Sequence, residues 1–118
     1  MGFEIVLQVR SMDICRFFYR DVLEFGEPEV DSVELVRFTP DNNTALVLEL
    51  CAAPYLEHAS SATQWGLVTE KFDHLCRKLL KHDETPGEEF CHLGRRARRF
   101  SDPEGNVFIL IEAARPER

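Results

Sequence analysis

The second half of this chain repeats the first at an offset of 60 residues, and no other feature restricts its possible folds as much. In each half an alternating apolar stretch is followed by an amphipathic segment and then by three further strand-like stretches. The offset carries Glu4 to Gln64, Met12 to Phe72, Asp13 to Asp73, Val47 to Val107 and Glu49 to Ile109. Identity between the halves is slight. Even so, strand falls on strand and helix on helix without a gap, as expected of a duplicated unit. A unit with one helix covers a single face of its sheet and leaves the other face as a wall. Two such walls are expected to meet, within one chain or across a dimer, and to enclose a cavity.

The elements follow from periodicity. "FEIVLQV" alternates and predicts a strand at 3–9, with Glu4, Val6 and Gln8 on one face and Phe3, Ile5, Leu7 and Val9 on the other. Ser11 is placed to cap a helix over about 12–24. Ile14, Phe17, Phe18, Val22 and Phe25 form its inward stripe, broken by Asp21, and Gly26 and Pro28 end it. Strands at about 29–31 and 33–39, the turn "PDNN" and a strand at 44–50 complete the half. Residues 52–62, "AAPYLEHASSA", have no period and read as a linker. The series then recurs as "QWGLVT", a helix "DHLCRKLLKH" capped by Asp73, the turn "TPGE", the strands "EFCHL" and "RRARRF", the hairpin "DPEGN" and "VFILIE". In this second helix Phe72, Leu75, Cys76 and Leu79 face inward. The expectation is one α+β domain over 1–118, with module one at about 1–51, a linker at about 52–62 and module two at about 63–118.

Composition excludes several classes. A chain of 118 residues, 44% hydrophobic, is long enough for one domain with a real core. A net charge of −7 argues against a general nucleic-acid binder, which needs a basic field. No apolar run approaches a membrane span, so no membrane partner is expected. "MGFEIVLQVR" lacks the basic and long apolar regions of a signal peptide. Cys15, Cys51, Cys76 and Cys91 form no CxxC pair and read as reduced, mostly buried small hydrophobes of a cytoplasmic protein.

Three stretches, "VRSMDICRFFYRDVLEF", "FDHLCRKL" and "DPEGNVFILIE", together resemble the vicinal oxygen chelate superfamily. That group includes lactoylglutathione lyase, extradiol dioxygenases, fosfomycin-modifying enzymes and the bleomycin-resistance proteins. The resemblance covers nearly the whole chain. It implies two βαβββ modules forming a curved mixed sheet around a cavity. One departure is Glu24, where the family often has glycine near the helix end. The family's metal enzymes place ligands on the first and last strands of each half, and this puts Glu4, Glu49, Gln64 and Ile109 at those positions. The usual types there are His or Gln on the first strands and Glu on the last. Glu49 has the commonest type for its place, and Gln64 a type some members use. Glu4 is an oxygen donor in place of His or Gln, and Ile109 ligates nothing.

A catalytic metal needs several converging ligands and an open position. Three oxygen donors without an imidazole would suit Mg²⁺ or Mn²⁺ better than zinc or nickel. No metal or other cofactor is favoured. His58, His74 and His82 read as solvated, and His92 is the one histidine near the expected cavity. The favoured reading is a small-molecule-binding protein of the glyoxalase/bleomycin-resistance type, working by reversible drug or ligand sequestration as a homodimer. Glu4, Glu49 and Gln64 would be its polar contacts, and Phe100, Val107 and Ile109 its apolar surface. The alternative is a lyase, isomerase or dioxygenase with a divalent ion on Glu4, Glu49 and Gln64, in which Glu49 and Glu4 would be the catalytic candidates. If Glu4 and Glu49 faced an enclosed cavity without a metal, mutual repulsion would raise at least one pKa, and the pair would hold a cation or supply a general base. In "GRRARRF", alternation sends Arg96 and Arg98 to one face and Arg95 and Arg99 to the other. One pair could bind a carboxylate or phosphate, but surface ion pairs with Glu88, Glu89 and Glu104 are the favoured account. The bleomycin-resistance proteins carry a similar Gly-Arg stretch before the same hairpin. Phe38 and Phe100 are pocket candidates, Trp65 faces the helix, and Tyr55 in the linker is placed to close over the cavity. Cys91 and His92 are adjacent on a strand and point apart, so they form no nucleophile–base pair.

Overall fold

A computed structural model describes residues 1–51 and 64–114, so the expected linker, with Tyr55 and His58, lies outside the described residues. In the first half, β1 (Phe3–Val9) turns Leu7 and Val9 into the core and leaves Glu4 and Val6 exposed. Alternating apolar side chains produce that division. β2 (Val30–Asp31), β3 (Leu35–Asp41) and β4 (Thr44–Leu50) follow. The sheet order is β1-β4-β3-β2, with β1 parallel to β4 and the remaining pairs antiparallel. A parallel first and last strand requires a crossover, and the helical segment after β1 supplies it.

That segment departs from the expected single helix over 12–24. α1 (Met12–Phe17) gives way to a π-helical turn over Phe18–Val22, closed by the Leu23 amide donating to the Phe18 carbonyl at 3.0 Å. A wider turn rotates the following residues about the axis. Met12, Cys15, Phe18, Tyr19, Val22 and Leu23 are buried on one face, whereas Ile14 and Phe17, upstream of that turn and on the other side, are exposed rather than inward. Tyr19 packs edge-on against Phe18 at 5.0 Å and tilted against Phe38 at 6.3 Å. The chain leaves through Glu24 at φ +61°. The left-handed backbone costs a non-glycine residue about 1 kcal/mol, which accounts for the glycine that the resemblance leads one to expect there. Arg16 ties α1 to β2, donating from Nε to Asp31 at 2.8 Å.

In the second half, β5 (Trp65–Thr69), α2 (Phe72–Leu80), β6 (Glu89–His92), β7 (Arg95–Ser101) and β8 (Val107–Glu112) repeat the plan, in the order β5-β8-β7-β6. α2 buries Phe72, Leu75, Cys76 and Leu79, the stripe its spacing predicts. Its N-cap position is Lys71, so Asp73 is not the cap; it lies in the first turn and accepts from Arg96 instead. The "DPEGN" turn is built on the buried Asp102 carboxylate. It accepts from the Glu104 and Asn106 amides at 2.9 and 2.8 Å and from Asn106 Nδ2 at 3.0 Å, with Gly105 at φ +85°.

The two halves are separate compact units, Met1–Ser60 and Ser61–Arg118. Each is a four-stranded mixed sheet with helical structure on one face, an α+β architecture. The repeat is not gap-free. An offset of 60 holds for β1 and β5 and for the helix starts. It would turn the pair Val6–Val47 into Gly66–Val107, but the observed partner of Gly66 is Ile109, two residues on. Arg37, which pairs with Val47, likewise corresponds to Arg99, which pairs with Ile109. Two extra residues therefore enter the second half between the helix and its last two strands. No helix among the described residues is long and apolar enough to cross a membrane.

Candidate functional site

Cross-strand partners share a face, so register assigns the side chains that helices do not cover. On the first unit's open face, Glu4 lies beside Ala45, Val6 beside Val47, Gln8 beside Glu49, and Arg37 beside Val47 on the other side. Glu4 and Glu49 share this face but are not a pair. Four residues of strand, roughly 13 Å, separate their places in the register. Each has its own partner: Arg37 Nε lies 3.7 Å from Glu4 Oε1, and Gln8 Nε2 donates to Glu49 Oε1 at 3.2 Å. Arg37 Nη1 also binds Glu29 at 2.6 Å. The expected like-charge dyad is therefore replaced by an ion-pair cluster at one end of the face and an amide–carboxylate contact at the other. Sequence reasoning missed Arg37 and Gln8. Gln8 was legible, since it alternates in phase with Glu4, whereas Arg37 needed the β3–β4 register. An open recess of about 550 Å³ lies at the Glu49 end, against Glu34, Leu35, Leu50 and Cys51.

On the second unit's open face, Arg99 lies beside Ile109 and Ile109 beside Gly66, with Val107 one same-face step away. Gln64 precedes β5 and accepts from Arg99 Nε at 3.3 Å. The Arg99 guanidinium lies 4.5 Å from the Phe90 ring centre, and Phe90 meets His92 edge-on at 6.4 Å. Phe100 does not belong to this face. It is buried on the helix side, 6.2 Å from Phe108, and Phe38 is likewise core in the first unit, so neither is a pocket residue. Trp65 stacks on Phe108 at 5.0 Å on the helix side, as alternation predicts.

The arginine run divides as expected between the two faces. Arg96 binds Asp73 at 3.0 Å and Glu89 at 2.9 Å, approaches Glu112 at 3.6 Å, and covers the Phe72 ring. Its hydrogen bond holds the Asp73 carboxyl below the ordinary range. Arg98 donates to the Gly87 carbonyl at 2.6 Å. A second recess, of about 560 Å³, lies on the helix side between Glu70, Phe72, His74 and Glu112. Neither recess is lined by Glu4, Gln64 or Ile109.

Among the described residues no three of His, Cys, Asp and Glu converge to hold a metal ion. Register also changes the carried-over ligand set. In the second unit Ile109 is the partner of Gly66; in the first, the same place belongs to Val47, the partner of Val6, and Glu49 lies one same-face step beyond it. Both last-strand positions are therefore aliphatic.

No protein-family profile matches the chain, and no curated protein matches it. Solved structures do. The chain superposes on a glyoxalase/bleomycin resistance protein from Catenulispora acidiphila with a TM-score of 0.72 and 17% identity, covering 97% of this chain and 99% of that one. A lactoylglutathione lyase from Agrobacterium tumefaciens gives 0.73 and 18%, over 95% and 92% of the two chains. TnmS3, an antibiotic binding protein from Streptomyces sp. CB03234, gives 0.72 and 20%, over 97% and 96%. The chain has the fold of the glyoxalase/bleomycin-resistance/dioxygenase superfamily.

Proposed function

We propose that this protein reversibly binds a small organic molecule on the open faces of its sheets, as a metal-independent binding protein. The observation that carries the reading is that aliphatic side chains, the buried Val47 and the half-buried Ile109, stand at equivalent places in the two units. A mainly apolar surface with a few fixed polar groups is what a ligand site requires. Here Glu4 is held by Arg37, Glu49 by Gln8 and Gln64 by Arg99. Those three polar residues, with Val107 and Ile109, are the proposed ligand contacts. The similarity of fold to an antibiotic binding protein is consistent with this. A homodimer with shared sites, in a reducing cytoplasm, belongs to the same reading; no disulfide joins the four cysteines.

A ligand that binds only the native state raises the melting temperature, by about 2.7 kcal/mol of added stability at a hundred times its Kd. A thermal-shift screen of neutral, cationic and anionic aromatic compounds is expected to give saturable shifts, and light scattering to give twice the chain mass. A stoichiometric Mg²⁺ or Mn²⁺ in protein purified without a metal-affinity tag would overturn the reading in favour of the enzyme alternative.

A further inference from the structure

The two units provide an internal control on charge. Residues 1–60 contain four Lys or Arg and eleven Asp or Glu, net −7, whereas residues 61–118 contain ten of each, net zero. The same contrast appears at corresponding places on the open faces. In the first unit Arg37 is neutralised by Glu4 and by Glu29. In the second, Arg99 occupies the corresponding register position, and the residue matching Glu4 is the neutral Gln64. Among the described residues, the polar and ring contacts of Arg99 are the Gln64 side-chain oxygen and the Phe90 ring. Neither cancels its charge. Arg96, by contrast, has three carboxylates around it, and Arg98 donates to a backbone carbonyl.

We infer that Arg99, seated on Phe90 and beside Ile109, is an oxyanion subsite of the second unit's open face, and that the ligand is an aromatic carboxylate. The inference rests on the ligand-binding reading above. The guanidinium carbon lies 4.5 Å from the centre of the Phe90 ring, a cation–π contact that helps hold it on this face. Nε is engaged by Gln64, which leaves the two Nη groups as a fork that matches a carboxylate. Across the sheet, Ile109 is followed by Gly66, which has no side chain above the strand. The Ile111 side chain fills the space over Gly66, where a Cβ would come within 3.1 Å of its Cδ1, so Ile109 and Ile111 together form an apolar floor for a flat ring.

The test is a ligand-observed NMR titration of the full chain with 2-naphthoate and its neutral isostere 2-naphthamide. At low salt, naphthoate should bind about fivefold more tightly, the reach of an exposed, well-oriented ion pair. In Arg99→Gln that ratio should fall to one while naphthamide affinity is retained. Gln64→Glu should also abolish the preference, because it recreates the neutralised arrangement of the first unit. Arg20→Gln, on the first unit's helical segment, should keep the ratio. Circular dichroism confirms that each variant is folded. Equal affinity for the two probes, or a preference that survives Arg99→Gln, overturns this inference and leaves ligand binding standing. Absence of binding by both probes overturns the two together.

Discussion

Phe108→Ala is expected to be the most damaging single truncation in the second unit. Phe108 has no exposed surface. It stacks on Trp65 at 5.0 Å and 21° and packs against Phe100 at 6.2 Å. Truncating a fully buried Phe costs about 3–5 kcal/mol, because the lost transfer energy is joined by the cost of the cavity left behind. Breaking two aromatic contacts places this site toward the upper end, at about 4 kcal/mol. A single domain has about 5–15 kcal/mol in all, so the loss is a large fraction of the total. Urea unfolding followed by Trp65, the only tryptophan in the chain, measures it directly. The midpoint should fall by about 2–3 M for a slope near 1.5 kcal/mol per molar, and native emission should shift as the indole loses its stacking partner. Phe108→Leu should recover most of the loss, to within about 1.5 kcal/mol. A loss below about 1.5 kcal/mol in the alanine variant would refute the placement of Phe108 at the centre of this core.

Asp73 has its folded pKa lowered by the Arg96 hydrogen bond, so it contributes stability above its unfolded pKa and loses it as pH falls through the folded value. Asp73→Asn should therefore flatten the acid limb of stability against pH while changing little in shape near neutrality, as measured by urea midpoints from pH 7 to pH 3. An unchanged acid limb would remove Asp73 from the account. Burial raises the Cys76 thiol pKa, and Cys91 is exposed. Alkylation at pH 7.5 followed by mass spectrometry should label Cys91 well before Cys76 and Cys15, and an early label on Cys76 would contradict its place on the buried face of α2.

The amino-acid sequence by itself determined most of the strands, the second helix and the existence of the duplication. β4 and β8 start and stop where their apolar runs place them, at 44–50 and 107–112, because apolar strands bounded by turn residues are local signals. The Asp102 turn is likewise local, since its carboxylate binds amides within four residues. Three features depended on the tertiary structure. The first helical segment, which closes in a π-helical turn at Phe18–Val22, buries the face of Met12, Cys15, Tyr19 and Val22 and leaves Ile14 and Phe17 in solvent, and which apolar face meets the sheet is decided by packing. The two-residue shift between the units moves the equivalence of Ile109 from Glu49 to Val47, and only hydrogen-bond register between strands distant in sequence could reveal it. The same applies to the two open-face arginines. Arg37 and Arg99 are alike as residues, but among the described residues the first meets the carboxylates of Glu4 and Glu29 and the second the Gln64 side-chain oxygen and the Phe90 ring. A strand's own residues fix which face each side chain takes, but the neighbouring strand's register fixes what that side chain meets.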